Sequence, residues 1–170
     1  MKRFGFWCAL ATVLAALTGC GYHVGFLGHP QLKTIAVAPA VNETALYNVA
    51  SDMRMMACEV IVQDGSLKLV DQSTADCILY CTVKEASFAD VTTDNYNSKI
   101  IYKPKEWAAK VNVEYNLIIP GQAKPLKQGT VTGNSRFQAP IDEEVSRLRA
   151  VRQACYDASR EILYAIVEGW

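Results

Sequence analysis

The sequence lacks nearly everything that a catalytic or metal site requires. Only two histidines occur in 170 residues, and there is no C-x-x-C pair, no G-x-S-x-G motif and no glycine-rich phosphate loop. His23 and His29 both precede the first predicted strand, where no scaffold would hold a general base in place. Asp142, Glu143 and Glu144 form a carboxylate cluster, but acidic residues are typical of the first turn of a helix. We therefore predict a binding or assembly protein rather than an enzyme, with no metal and no cofactor.

A strong charge of either sign is also missing. The chain has 17 basic and 17 acidic side chains, and the part after residue 19 has 15 basic side chains and 17 acidic ones. Because proteins that bind nucleic acids usually present a strongly basic surface, the composition argues against a nucleic-acid partner. A local basic patch that meets phosphate groups remains compatible with it.

No apolar run is long enough to cross a bilayer as a helix. The uncharged, mostly apolar run that follows Lys2 and Arg3 extends from Phe4 to Leu17. This is the length of the hydrophobic core of a signal peptide, and it falls short of the roughly 20 residues that a spanning helix needs. Residues 1–19 are therefore predicted to be an export signal.

The end of that run, Leu17-Thr18-Gly19-Cys20, resembles a bacterial lipobox. The resemblance implies an S-diacylglycerol on the thiol of Cys20, cleavage before Cys20 and an N-acyl chain on the new N-terminus. Two or more acyl chains hold a protein firmly on a membrane. Gly21 stands where aspartate would retain a proteobacterial lipoprotein in the inner membrane, so we expect a lipid-anchored protein on the periplasmic side of the outer membrane. The alternative is an ordinary secretory signal with a chance cysteine.

Four further cysteines follow Cys8 and Cys20, namely Cys58, Cys77, Cys81 and Cys155. Disulfides can persist in an oxidising compartment, and one possibility is a bond between Cys155 and a strand cysteine. The other is that all four are small, mostly buried thiols. Cys77 and Cys81 cannot bond each other, because residues four apart in a strand are about 13 Å apart.

Residues 20–170 are predicted to form one domain, which begins with a linker over residues 20–31. Apolar periodicity predicts the element order β-α-β-β-β-β-α. The predicted strands cover residues 32–39, 67–71, 77–84, 107–119 and 127–138, and the predicted helices cover residues 45–63 and a C-terminal stretch opened by Pro140 and Asp142. Asn42 or Thr44 is the expected cap of the first helix.

Two amphipathic helices need a sheet face to bury against. The apolar stripe of the C-terminal helix is Val145, Leu148, Cys155, Ile162 and Ile166. We expect Leu148 and Ile162 to face the sheet together with Val111 and Val113 of the fourth strand. The predicted fold is therefore an α/β two-layer sandwich, with both helices on one face of a mixed four- to five-stranded sheet.

Several short motifs follow one another in a characteristic order. The first is Cys20-Gly21-Tyr22-His23-Val24, and the second is the strand over residues 32–39 followed by Asn42-Glu43-Thr44. The third is residues 67–71 followed by Ala75-Asp76-Cys77-Ile78-Leu79. In order, these resemble the mature start, the strand-P-x-x-N-x-T opening and the next pair of strands of the LPS-assembly lipoprotein family (LptE-like). The resemblance extends over essentially all of residues 20–170.

The family resemblance implies a partner rather than a reaction. Members sit as a plug inside an LptD-type outer-membrane β-barrel, support its assembly and pass lipopolysaccharide to the outer leaflet. The chain departs from the family pattern at Cys77, where a small residue is common, and at Ala40-Val41, where an aromatic-bearing stretch is usual.

Direct contact with lipopolysaccharide would require basic side chains for the phosphates and apolar neighbours for the acyl region. The candidates are Lys99, Lys103, Lys105, Lys110 and Arg136. Two alternatives remain open for this stretch. Its lysines can protect the edge of a solvated hairpin, or the hairpin can contact the barrel wall.

The segment Ile35-Ala36-Val37-Ala38-Pro39 also permits a second interpretation, in which the protein resembles other envelope lipoproteins. Lipoprotein activators of peptidoglycan synthases and pore-forming secretion lipoproteins can also begin with a strand of this kind. Under that reading the protein is an envelope lipoprotein that regulates a synthase or forms part of a secretion channel.

Overall fold

A computed structural model describes residues 32–91, 106–138 and 143–168. In these residues two α-helices pack on one face of a mixed sheet, and the predicted α/β sandwich is confirmed. The strands are β1 (Thr34–Val37), β2 (Val41–Asn42), β3 (Lys68–Leu69), β4 (Cys77–Asp90), β5 (Glu106–Ile118) and β6 (Lys127–Gln138), and the helices are α1 (Val49–Asp64) and α2 (Glu143–Glu168). The two-residue strand β2 is an addition to the predicted order.

The sheet combines a parallel half with an antiparallel half. Its strand order is β3-β1-β4-β5-β6, and β2 also pairs with β4. Strands β1, β2 and β3 make only parallel pairs, whereas β4, β5 and β6 form an antiparallel meander. Pro39 separates β1 from β2, where a missing backbone donor interrupts the ladder.

Strand β4 is longer than its apolar pattern predicts. A bulge changes the alternation of apolar and polar residues in the second half of the strand, so the pattern there does not continue that of the first half. The register with β5 shifts between Val83 and Glu85. Before the shift the odd-numbered residues face the helices, and after it Ala86 and Phe88 pack against the core. A bulge adds one residue to one strand, so the side-chain alternation changes phase there.

The core lies between the helices and the inner face of the sheet. Val111 and Val113 of β5 and Ile162 of α2 are buried there as predicted. Helix α1 contributes an apolar stripe whose fully or nearly fully buried members are Val49, Met53, Met56, Ala57, Val60 and Ile61. In the part of the chain that the structure describes, neither helix is both long and apolar enough to cross a membrane.

Helix α1 begins four residues later than predicted. Asn48 precedes it in the left-handed region (φ 66°) and makes no side-chain capping bond. Asn42 and Thr44, the expected caps, instead build the preceding turn. The Oδ1 of Asn42 accepts from the N–H and hydroxyl of Thr44, and its Nδ2 donates to the carbonyl of Leu46. Such side chains favour local turns in competition with the helix.

The prediction that Leu148 is a buried core residue is wrong, and Val145 of the same apolar stripe is exposed as well. Leu148 is 53% exposed and Val145 is 40% exposed. Leu148 is seven residues before the buried Cys155 and so lies on the same side of α2. However, the first turns of α2 stand beside an open groove, which Leu148 lines together with Tyr47. The helical phase was therefore right, but the structure describes no element that covers this end.

Two truncations in α2 test this difference. Ile162→Ala should lower the free energy of unfolding by about 2–5 kcal/mol, because Ile162 is 1% exposed and its removal leaves a cavity. Leu148→Ala should lower it by less than about 1 kcal/mol, since water already reaches half of that side chain. Urea unfolding of the domain that begins at Gly21 measures both. Equal losses would mean that Leu148 is covered after all.

Candidate functional site

The described residues hold no cluster of histidine, cysteine, aspartate or glutamate that could bind a metal ion. His23 and His29 lie outside them. Burial raises the pKa of Cys77, Cys81 and Cys155 to about 12, with smaller contributions from neighbouring groups. These thiols stay protonated at neutral pH, and a protonated thiol is a poor nucleophile and metal ligand.

Cys58 differs from the other three thiols because it is only partly buried. Burial raises the pKa of Cys58, and the positive charge of Arg54 opposes that rise. The structure has all four cysteines as free thiols. Cys77, Cys81 and Cys155 belong to the core, and Cys58 packs against it.

Two of the predicted lipopolysaccharide contacts lie together on the sheet face opposite the helices. Lys110 pairs with Asn134 across β5 and β6, and the next pair on the same face joins Ala108 to Arg136. Lys110 and Arg136 are therefore diagonal neighbours, and both are exposed. A guanidinium nitrogen of Arg136 lies 4.0 Å from a carboxylate oxygen of Glu106. Lys99, Lys103 and Lys105 lie outside the described residues.

This basic pair is at the end of the sheet far from the first described residue. Leu32 precedes β1, whose Ile35 pairs with Cys77 at the start of β4. Ala108 pairs with Ala89 near the other end of β4. At roughly 3.3 Å per strand residue the two ends are about 35–40 Å apart. Leu32 and the basic pair are thus at opposite ends of the sheet.

The sheet face that carries the basic pair, which we call the open face, is uncovered by either helix and largely polar. Its side chains on β4, β5 and β6 include Thr82, Ser87, Asn112, Asn116, Gln128, Thr130, Thr132 and Asn134. Lys84 bridges Glu43 and Glu114 on this face, at 3.1 Å and 3.3 Å. Hydroxyls, amides and paired charges make the open face suited to water or to a polar partner.

At the start of α2, an arginine packs against aromatic rings of the sheet, and three such rings take part in the cluster. The guanidinium of Arg147 lies 5.3 Å from the centre of the Phe88 ring and 5.9 Å from that of Trp107. Phe137 meets Phe88 edge to face with ring centres 6.1 Å apart. Glu143 pairs with the same guanidinium at 2.7 Å. Cation–π contacts of this kind stabilise by about 0.5–2 kcal/mol.

Beside this cluster lies a groove of about 580 Å³ between the starts of α1 and α2. Leu46, Phe88, Leu148 and Val151 supply its apolar lining. Tyr47 stands at its rim with 86% of its surface exposed. The groove is at the same end of the domain as the basic pair but on the helix side of the sheet.

A partly buried ion pair links the two helices below this groove. The Oδ1 of Asp52 lies 2.9 Å from the Nε of Arg152, and the Asp52 side chain is only 11% exposed. The sequence pattern did not reveal this pair, because Asp52 interrupts an apolar stripe and its partner is 100 residues away. No local signal could have found it.

The aspartate of the Ala75-Asp76 motif has a structural role. The N–H groups of Lys33 and Thr34 donate to its Oδ2 at 3.0 and 2.9 Å, and the N–H of Asp76 donates to the hydroxyl of Thr34. These bonds join the start of β4 to the start of β1. The hydrogen bond from Lys33, followed by those from Thr34, holds the pKa of Asp76 below its usual value.

Asp76→Ala should therefore destabilise the domain in a pH-dependent way. A carboxyl group whose pKa is lowered on folding stabilises the folded state above its unfolded pKa of about 3.9, and this stabilisation is lost as the pH falls through the lower folded value. The stability gap between wild type and variant should thus be largest above about pH 5 and shrink below about pH 4. Urea unfolding at both pH values measures it. Asp71→Ala, at an exposed aspartate, is the control and should show no such change; a pH-independent gap for Asp76→Ala would contradict the assignment.

The sequence matches no family model and no curated protein. Solved structures with a similar fold do exist. Protein XCC0632 from Xanthomonas campestris, of family DUF330, has 11% identity and a TM-score of 0.55, over 86% of this chain and 93% of that one. A minor lipoprotein from Acinetobacter baumannii has 14% identity and a TM-score of 0.51, over 81% and 94%.

A third similar structure is a dodecamer of a PelC variant from Paraburkholderia phytofirmans. It has 12% identity and a TM-score of 0.51, over 85% of this chain and 95% of that one. At such low identity these similarities concern the fold alone. The chain thus has a fold that is also found in a bacterial lipoprotein.

Proposed function

We propose that the protein is a lipid-anchored outer-membrane lipoprotein of the LPS-assembly kind. In this role it plugs an LptD-type β-barrel, helps the barrel to assemble and delivers lipopolysaccharide to the outer leaflet. It is a binding protein and not an enzyme. Its attachment to the periplasmic side of the membrane is through the acyl chains on Cys20.

The observation that carries the proposal is the open face. A plug inside a barrel must present a polar surface to the water-filled lumen, and the open face offers amides, hydroxyls and paired charges over three long strands. The lipobox, the C-G-Y-x-V start and the ordered motifs between residues 32 and 79 support the same proposal. The fold is also similar to that of a bacterial lipoprotein, which is consistent with the proposal.

The basic pair supports a contact with lipopolysaccharide at the end of the domain remote from Leu32. Lys110 and Arg136 are exposed side by side on the open face, where lipid A phosphates could reach them. Lys99, Lys103 and Lys105 belong to the same proposed site. Lysine and arginine bind phosphate through charge-assisted hydrogen bonds.

Copurification tests the proposal. The full-length acylated protein is tagged, extracted from its own outer membrane in mild detergent and analysed by native mass spectrometry. We expect a complex with one larger β-barrel protein and bound lipopolysaccharide. A protein recovered alone, or with a peptidoglycan synthase, would overturn the barrel-plug role.

A second candidate is a self-assembled ring that forms part of a secretion channel. The similar fold of PelC, whose structure is that of a dodecamer, favours it. The same experiment separates the two candidates by mass. Many copies of this chain without a second protein would support the ring and exclude the plug.

A further inference from the structure

Strand β6 forms one edge of the sheet. It is the last strand in the order β3-β1-β4-β5-β6, and in the described part of the chain it pairs only with β5. It runs for 12 residues, from Lys127 to Gln138, without a proline and without a shift of register. An edge strand of this length presents a row of unpaired backbone donors and acceptors, which favours the addition of another strand.

The hydrogen bonds of Asn134 indicate which backbone groups of β6 point outwards. Its N–H donates to the Oδ2 of Asp157 in α2 at 3.0 Å, so this N–H points away from β5. Because the backbone groups along a strand point to alternate sides, those of Gln128, Thr130 and Thr132 also point to the free edge. The Asn134 amide donates to the carbonyl of Thr132 at 3.2 Å. Among the described residues, side chains thus close the edge near Asn134 and leave it open from Gln128 to the N–H of Thr132.

The open stretch of β6 carries none of the features that usually block an edge strand. Its residues are Gln128, Gly129, Thr130, Val131 and Thr132, which include no charge and no proline. The side chains of Gln128, Thr130 and Thr132 are exposed. Natural proteins protect a free edge with charged side chains, proline or a bulge. Backbone pairing with another strand is therefore unobstructed by the residues of this stretch.

This stretch is complementary to itself when a second copy approaches in the antiparallel direction. With Thr130 opposite its own counterpart, Gln128 lies opposite Thr132, and each such pair exchanges two backbone hydrogen bonds. Threonine opposite threonine is a favourable cross-strand pair, and no like charges oppose one another. On the helix side, the half-buried Val131 of each copy lies opposite Gly129 of the other, so a branched side chain meets a residue that has none.

Charges at the two ends of this pairing are also complementary. In the same register, Lys127 of one copy lies opposite Gly133 of the other, and both residues belong to the side of the strand that faces α2. Gly133 precedes Asn134, where the Asp157 carboxylate reaches the edge. Lys127 therefore approaches Asp157 of the second copy, and two-fold symmetry produces this contact twice. Opposite charges placed in this way favour one register over the others.

We propose that β6 is the surface through which two copies of this chain pair, as antiparallel neighbours in one continuous sheet. Two identical edges that meet in this way close a two-fold dimer and do not extend into a ring. The pairing leaves the open face uncovered. The inference goes beyond the proposed function and does not rest on it.

Cysteine crosslinking of the full-length acylated chain in its own membranes tests the register. Thr130→Cys should form a covalent dimer when its thiols are oxidised with diamide, because directly opposed Cα atoms are about 5.5 Å apart and within the reach of a disulfide. Thr132→Cys is the matched control and should not link to itself, since its two copies are about 13 Å apart in the same dimer. Coexpressed Gln128→Cys and Thr132→Cys chains with different tags should link to each other.

Thr130→Pro separates pairing between copies from folding. Proline removes an N–H that points away from β5, so the ladder between β5 and β6 is kept, while the central hydrogen bonds between the copies are lost. The Kd of the dimer should rise at least about tenfold, and native mass spectrometry in mild detergent should record one copy instead of two. Thr130→Val keeps the N–H and should leave the dimer intact. Circular dichroism verifies that both variants fold.

Three other results would overturn the inference. They are equal disulfide formation by Thr130→Cys and Thr132→Cys, a single copy of the wild-type chain in native mass spectrometry, and a disulfide that joins Thr130→Cys to a different protein. A two-copy complex without a barrel would sustain the inference and overturn the proposed function. A barrel complex with one copy of the chain would do the reverse.

Discussion

Gly133→Ala is expected to lower the free energy of unfolding by at least about 3 kcal/mol. Helix α2 crosses β6 so closely that a Cβ atom on Gly133 would lie 2.0 Å from the carbonyl oxygen of Ala154 and 2.6 Å from the N of Ala158. Both are backbone atoms of a regular helix and cannot move aside singly. The whole helix would have to shift, which would open the core beneath it. Urea unfolding of the domain that begins at Gly21 measures the loss.

Gly129→Ala is the matched control on the same strand and the same face. Its Cβ would meet only the ring of Tyr115, at 3.0 Å. A side chain can rotate or shift by a few tenths of an ångström, so this change should cost about 1 kcal/mol or less. If the two variants lose equal stability, the close approach of α2 to β6 is not what the structure indicates.

Cys20→Ser is expected to abolish acylation completely. The serine hydroxyl cannot replace the thiol that receives the diacylglycerol, so the precursor should keep residues 1–19 and incorporate no labelled palmitate. Cys20 lies outside the described residues, and this expectation rests on the lipobox resemblance. Labelling with radioactive palmitate and the mass of the mature N-terminus measure the outcome.

Cys8→Ser is the control for the lipidation experiment. Cys8 lies within the predicted export signal, so its replacement should leave both palmitate labelling and processing intact. Unchanged labelling in Cys20→Ser would eliminate the lipoprotein interpretation and, with it, the anchor on which the proposed function depends.

Much of the architecture was predictable because its signals are local. The alternation from Trp107 to Leu117 identifies β5 and its buried face, and the predicted bounds of β6 agree with those of the structure. Gly65, with φ 71°, ends α1 where the sequence places a stop. The prediction of where α1 begins was wrong because the same residues favour two different local structures. Asn42 and Thr44 could cap a helix or build a turn, and they build the turn.

The candidate surfaces were less predictable than the fold. Lys110 and Arg136 were chosen as basic residues on neighbouring strands, and the antiparallel register places them on one face. The groove between the starts of α1 and α2 was not anticipated, because residue types along a helix do not reveal which part of its apolar stripe remains uncovered. Leu148 shows the difficulty, since its position in the helical repeat is that of a core residue.

The sequence by itself determined the classes of element, their order, the two-layer architecture and the absence of the usual catalytic motifs. These follow from side-chain periodicity and composition, which act over a few residues at a time. Tertiary structure alone decided the Asp52–Arg152 pair, the requirement for glycine at position 133 and the exposure of Leu148. Each depends on how closely segments far apart in the chain approach one another, a distance set by the packing of the whole core rather than by any local pattern.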